Sequence, residues 1–506
     1  MIRQLFLVAF VTVSGSIAAA AGERPNVVVI LADDLGYGDV QCYNPTRGKI
    51  KTPRIDRLAA EGMRFTDAHT SSGVCSPTRY GLLTGRYHWR SRLQAGIVGY
   101  LERPLIAPER MTLGTLFQKH GYRTAAIGKW HLGWDWNIPE GQRPLFAPGK
   151  DSTPEVTAKH LAAWNEVYGR PIGGGPTARG FDSYFGTDVP NWPPYAFLRD
   201  DRLTKIPDTF LPTSLLKNHQ ASTAGPAVDG WKLESVLPAL EKAACGYIRK
   251  SVQEGKPFFL YLPLTAPHTP LAVNDEWKGK SGLGAYADLV METDAMVGRV
   301  LDALEDSGAA KNTLVLFTSD NGCAPYIGAK DMEAQGHYPS GPLRGYKADA
   351  WEGGHRVPFL VRWPGEVKAG TTCAALVHQV DVFATLAEVL QFERPQAAGE
   401  DSVSLLSLLR GSDQPTREYA VSCASSGLPA LRQGSWKILF GAAGGGFGKQ
   451  AERGAGQLYD LANDLGETKN LWDEKPELVA ELTAAMERIV AAHPNDVPVR
   501  WRRFLK

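Results

Sequence analysis

Cysteine is scarce: six residues in 506 (Cys42, Cys75, Cys245, Cys323, Cys373 and Cys423), scattered and with no C-x-x-C pair, which excludes a disulfide framework and a cysteine zinc cluster. An excess of either charge is also lacking. Lys and Arg number 55 against 54 Asp and Glu, a net charge of +1, so no global field draws the chain to nucleic acid or to an anionic membrane. No apolar run reaches the roughly 20 residues of a membrane span. The run from Leu5 to Val13 follows Arg3 and leads into Ala18-Ala19-Ala20-Ala21, the layout of a secretory signal cleaved near Ala21. The mature chain is therefore expected to be exported, periplasmic or secreted, without a membrane span. There is no internal repeat. Hydrophobic residues at 43% and charged residues at 22% are ordinary for a globular chain with an ample core.

At about 150 residues per domain, the length suits one large domain with an appendage. Apolar runs alternate with helical patterns, the order expected of an α/β domain with a large, mixed, mostly parallel sheet flanked by helices. The clearest predicted strands run from Asn26 to Leu31, Thr124 to Ile127, Phe258 to Leu262 and Thr313 to Phe317. They exit into Asp33-Asp34, Lys129-Trp130-His131, Thr265-Ala266-Pro267-His268 and Asp320-Asn321. Such sheets bind ligands beyond the carboxyl ends of their strands, so four polar exits predict one shared site. The stretch from Trp134 to Pro238 is rich in Pro, Gly and aromatics with little periodicity, and reads as an irregular rim. Helical patterns cover Ala285 to Glu305 and Val380 to Leu390. Near Thr416 the character changes to short strands (Tyr419 to Cys423, Trp436 to Phe440, Leu458 to Leu461) and an amphipathic helix from Pro476 to Ala492. The expected division is a signal peptide at 1–21, a catalytic domain at 22–415 and a smaller C-terminal α+β domain at 416–506 with a short antiparallel sheet.

Asp33, Asp34, Asp320 and Asn321 offer only oxygen, the donor set of a hard divalent cation; calcium tolerates irregular geometry, and magnesium is the runner-up. Consecutive strand residues face opposite ways, so Asp33 and Asp34 converge only if the chain has left the strand there. The most informative stretch is Gly73-Val74-Cys75-Ser76-Pro77-Thr78-Arg79-Tyr80-Gly81-Leu82-Leu83-Thr84-Gly85. Pro77 suits the first turn of a helix, whose open amides form an anion-binding end beside residue 75.

This stretch closely resembles the signature of the formylglycine-dependent sulfatases, a branch of the alkaline phosphatase superfamily. Gly121-Tyr122-Arg123-Thr124-Ala125-Ala126-Ile127-Gly128-Lys129-Trp130-His131 resembles that family's other signature. The likeness extends over Pro267-His268, Ser319-Asp320-Asn321-Gly322, Gly345-Tyr346-Lys347 and Glu352-Gly353-Gly354-His355-Arg356-Val357-Pro358. It departs at Ala348, where the family often has Gly. The resemblance implies an alkaline-phosphatase-like fold. It also implies oxidation of Cys75 to 3-oxoalanine (formylglycine) by a maturation enzyme, and one calcium ion held by Asp33, Asp34, residue 75, Asp320 and Asn321.

A sulfate monoester is ringed by negative oxygens, so a hydrolase must supply positive charge before a nucleophile can approach. Arg79, Lys129, His131, His268 and Lys347 offer it. In the implied mechanism the aldehyde hydrate attacks sulfur, His268 protonates the leaving alcohol, and His131 removes the proton from the remaining hydroxyl so that sulfate is expelled. Arg79 orients the diol, and Lys129 and Lys347 hold sulfate oxygens. His337 and His355 flank Lys347 and are placed on the substrate side, while Trp134, Trp192 and Tyr195 are candidates to stack on a sugar. The expected substrate is a sulfated carbohydrate. The alternatives are a phosphate or phosphonate monoester hydrolase, and a non-catalytic carbohydrate-binding relative with unmodified Cys75.

Overall fold

The computed structural model describes residues 24–149, 154–217, 219–448, 454–492, 498 and 501. The signal segment expected at 1–21 lies outside the described residues. Ten strands form one sheet: β1 (Asn26–Asp33), β2 (Met63–Phe65), β3 (Arg123–Lys129), β4 (Ser183–Thr187), β5 (Leu198–Arg199), β6 (Arg202–Leu203), β7 (Phe258–Pro267), β8 (Thr313–Ser319), β9 (Phe359–Arg362) and β10 (Thr371–Cys373). Their order is β10-β2-β9-β8-β1-β7-β3-β4-β5-β6. The five central strands, β8-β1-β7-β3-β4, run parallel, and antiparallel pairs flank them.

The period of two explains why this centre is buried on both sides. Val27, Val29 and Leu31 enter one core while Val28, Ile30 and Ala32 enter the other. The second core is closed by two long helices, α4 (Val236–Gln253) and α5 (Ala285–Asp306), which follow α1 (Pro53–Glu61), α2 (Cys75–Thr84) and α3 (Leu113–Lys119). The four strands with polar exits are adjacent in the sheet, and each runs two or more residues beyond its apolar run, so that β1 and β3 end on Asp33 and Lys129 while β7 and β8 end one residue short of His268 and Asp320.

The segment read as an irregular rim is more regular than expected. It contains a helix at Ala158–Tyr168 and contributes β4 to the parallel centre. Ser-Tyr-Phe-Gly-Thr is too short and too mixed to announce a strand; its pairing with β3 creates it. Gly186 of β4 and Gly128 of β3 lie directly opposite, and a β-carbon on Gly128 would stand 1.7 Å from the Pro263 carbonyl oxygen at φ 137°. Gly128→Ala is therefore expected to destabilise the fold by on the order of 2 kcal/mol, measurable as a lowered Tm.

The C-terminal sheet has four antiparallel strands, β11 (Tyr419–Cys423), β12 (Pro429–Gln433), β13 (Trp436–Leu439) and β14 (Gln457–Asp460), one more than expected. Proline at the first position hides β12 from a reading of the sequence. The sheet carries the helix Pro476–Ala491 and shares a core with Tyr87, Trp89 and Val380. Its first strand is bonded to the approach to α2: Cys423 N donates to Ser71 O (3.0 Å) and Gly73 N to Cys423 O (2.9 Å). The small sheet thus braces the residues that lead into Cys75. Among the described residues no helix is long and apolar enough to cross a membrane.

Candidate active site

β1 ends at Asp33 after a register shift against β7, and Asp34 takes φ 62°, a left-handed conformation uncommon for residues other than glycine. The chain thus leaves the strand between two acidic residues, which lets both carboxylates reach one place. Helix α2 begins at Cys75, with extended Val74 as its N-cap. Ligating atoms of Asp33, Asp34, Cys75 and His268, all buried, lie within 4.8 Å of one another.

The cationic residues interlock with these acids. Arg79, one turn into α2, donates from Nε (3.2 Å) and Nη2 (2.8 Å) to Asp320 Oδ2 and from Nη1 to the Lys129 carbonyl (2.9 Å). Lys129 Nζ donates to Asp33 Oδ2 (2.7 Å) and Lys347 Nζ to Asp34 Oδ2 (2.6 Å). Asn321 Nδ2 donates to Asp34 Oδ1 (2.7 Å), and the Asp34 amide donates to Asp320 Oδ1 (3.1 Å). His268 Nε2 is 3.6 Å from Asp34 Oδ2, while its Nδ1 bonds the Thr269 carbonyl. His131, at φ 52°, bonds the Val98 carbonyl through Nε2 (2.9 Å). The ten residues proposed from the sequence therefore come together from the ends of β1, β3, β7 and β8, the loops that follow them, the Lys347 segment and the first turns of α2.

Burial and charge oppose each other here. Burial works against ionisation of Asp33, but Lys129, His268, Arg79 and Lys347 hold its carboxyl well below the usual range. Burial pushes Asp320 up to about 7, reinforced by the charge of Asp33. It pushes the Cys75 thiol up to about 12 against Lys129 and Lys347. His268 is lowered to about 4 by burial and by Lys347, and His131 falls well below the ordinary range through burial, Lys129 and Arg79. Both rings are thus neutral near pH 7.

The oxygen donors fit a hard cation. Asp33 Oδ1 and Asn321 Oδ1 are buried with no hydrogen-bond partner, an arrangement costly to a fold unless another positive group meets them. A second group of ligating side chains, His69, Glu352 and His355, does not fit one. The Lys437 ammonium stands 3.0 Å from Glu352 Oε1 and 3.2 Å from His355 Nε2, so a cation already meets two of these three side chains.

Four expected placements are corrected. His337 and His355 do not line the substrate side: His337 is buried on Asp39 (2.8 Å), and His355 belongs to the Lys437 network. Trp134 and Tyr195 are packing residues, each about 1% exposed, with their polar atoms bonded to Asp188 and to the Asn191 and Thr223 carbonyls. Of the three aromatics only Trp192 is at the site, its ring nearly perpendicular to that of His131 with centroids 5.2 Å apart. Asp188 was missed. It follows β4, accepts from the His131 amide (3.2 Å), and would have been a fifth polar exit had that strand been legible.

Residues 25–392 match the Sulfatase family. The chain belongs to the sulfatase family. An N-acetylgalactosamine-6-O-sulfatase from Bacteroides thetaiotaomicron is 33% identical over 92% of this chain and 93% of that protein. Arylsulfatase A from Bos taurus is 31% identical over 93% of this chain and 88% of its own length. A structure from work on the metabolism of multiple glycosaminoglycans by Bacteroides thetaiotaomicron superposes with a TM-score of 0.79 at 31% identity, covering 92% of this chain and 99% of that one. This sulfatase therefore hydrolyses sulfate esters.

Proposed function

We propose that the protein is an exported sulfatase that removes sulfate monoesters from sulfated carbohydrates, with calcium held by Asp33, Asp34, residue 75, Asp320 and Asn321, and with Cys75 matured to formylglycine. The observation that carries this reading is the convergence of Asp33, Asp34, Cys75 and His268 at the start of α2. The ion and the aldehyde hydrate would supply a nucleophilic oxygen and positive charge beside sulfur.

The chain's own residues account for the rest. Asp33, Asp34 and Asp320 formally carry three negative charges against three positive charges on Arg79, Lys129 and Lys347, so the protein alone is balanced. A divalent ion turns the site net positive, as an anionic ester requires. Arg79, fixed by three hydrogen bonds to Asp320 and the Lys129 carbonyl, would orient residue 75, and Lys129 and Lys347, bonded to Asp33 and Asp34, would hold sulfate oxygens. The Val98 carbonyl accepts from His131 Nε2, so in the neutral ring the lone pair is on Nδ1, which is buried without a partner and suited to take a proton from the hydroxyl on residue 75. His268 donates Nδ1–H to the Thr269 carbonyl, leaving Nε2 facing the acids. To protonate the leaving alcohol it must become an imidazolium, a form the charge of a bound ester stabilises. We take residues 22–415 as the catalytic domain and 416–506 as its C-terminal companion.

Release of sulfate from N-acetylgalactosamine 6-sulfate and p-nitrophenyl sulfate, set beside p-nitrophenyl phosphate, tests the reading; a large phosphate preference would overturn it. Dialysis against a chelator is expected to cut turnover by at least ~100-fold, with calcium restoring it better than magnesium.

A further inference from the structure

The glycine-rich stretch 441–448 plays no part in the chemistry above, yet it is fixed against the segment that carries Lys347. It leaves β13, and its Gly444 carbonyl accepts from Ala350 N (2.8 Å) while Gly448 N donates to Asp349 Oδ1 (2.8 Å). A β-carbon on Gly446 would stand 2.2 Å from the Ala348 carbonyl, and one on Gly448 would stand 2.2 Å from the Trp351 ring. Only glycine lets the loop lie this close. Between these pinned positions Phe447 stands 47% exposed, with no core to fill.

Phe447 belongs to a row of three rings. Its ring meets Tyr326 edge-on at 5.9 Å, and Tyr326 stacks on His219 at 5.7 Å. The backbone at or beside each ring is bonded to a segment that carries a candidate site residue. Tyr326 lies five residues after Asn321 in the turn Pro325–Ile327, whose approach is tied to Lys347 by Lys347 N→Cys323 O (2.8 Å). The His219 carbonyl accepts from Leu271 N (2.9 Å), three residues after His268. Burial pushes the Tyr326 hydroxyl up to about 12, with Lys347 opposing and Asp34 and Cys75 reinforcing, while the residue is 38% exposed overall. Tyr326 is thus close enough to feel the charges of the site while part of its surface stays exposed.

We propose that Phe447, Tyr326 and His219 form a wall at the mouth of the site that packs against the ring of the sulfated sugar, making them specificity-determining residues for the alcohol half of the ester. The inference rests on the sulfatase reading above. A pyranose presents one apolar face and an edge of hydroxyls; the wall matches it with aromatic faces and with polar handles at Tyr326 and His219. Sulfate itself lies beyond the wall, among Lys129, Lys347 and Arg79.

The test is steady-state kinetics of Phe447→Ala and Tyr326→Ala on N-acetylgalactosamine 6-sulfate, with inhibition by inorganic sulfate measured on the same proteins. The expected result is a KM raised about tenfold, equivalent to ~1.4 kcal/mol, with kcat and sulfate inhibition within about twofold of wild type, and Phe447→Trp close to wild type. A KM unchanged in both alanine variants overturns the wall, as does loss of sulfate inhibition in parallel with KM. A wild-type enzyme that releases sulfate from no ester overturns the sulfatase reading instead. Because Phe447 is exposed, its truncation leaves the core intact.

Discussion

Cys75→Ala is expected to lower kcat/KM for any sulfate ester by at least ~10⁴-fold, the scale seen when a covalent nucleophile is deleted, with little change in Tm. The side chain is small and sits at the first turn of α2, whose other residues keep the helix in place, so its loss opens no large cavity. On the proposed mechanism, what vanishes is the attacking atom. No other side chain can substitute, because Ser76 and Thr78 are committed elsewhere: Ser76 Oγ accepts from Val98 N (3.1 Å), and Thr78 Oγ1 donates to Ser72 O (3.1 Å). Sulfate release measures the loss. Peptide mass spectrometry of wild type across residue 75 provides the companion observation: an unmodified thiol in protein from its native host would favour the carbohydrate-binding alternative.

The parts of this site legible in the sequence are those written locally. Cys75 and Arg79 share one helical turn, and Lys129 and His131 follow one buried strand, so their type and spacing announce them together. The parallel centre is legible because its strands are buried on both faces and their apolar runs are continuous. Long-range pairings are a different matter. Nothing local says that Arg79 bonds an aspartate 241 residues away, and that contact follows only once four strands are ordered side by side. Among the strands the sequence does not announce, β4 and β12 owe their state to neighbours rather than to their own residues, and Asp188 is hidden with the first of them. Trp134 and Tyr195 show the converse: an aromatic residue in a loop reads as a ligand platform until packing shows both faces covered. Asp and His tolerate positive φ better than most residue types, but nothing local says that Asp34 and His131 adopt it, and it sets where both side chains point.

The second large effect is expected at Lys437→Met, and it falls on stability rather than on chemistry. Lys437 Nζ lies 3.0 Å from Glu352 Oε1 and 2.8 Å from Glu467 Oε1, and all three side chains are wholly buried. Around them Arg356 bonds Glu352 (3.1 Å) and Arg432 bonds Asp67 (3.0 Å). The network joins β13 to the Glu352–His355 turn, and so joins the small sheet to the segment that follows Lys347. Removing the ammonium while keeping the volume leaves the buried Glu467 carboxylate without that cation beside Glu352, which keeps Arg356, a change that typically costs ~3–5 kcal/mol. Denaturant unfolding should show a lower midpoint of that size at pH 8. The pH dependence carries the sign. Burial holds Glu467 up to about 7, and the charge of Glu352 adds to it while Lys437 opposes it; without the lysine it binds its proton more readily still. A carboxyl whose folded pKa is raised adds stability as pH falls through that value, so the deficit of the variant should shrink between pH 8 and pH 6. A deficit that stays constant over this range would mean that lost packing, not the uncompensated charge, is the cause.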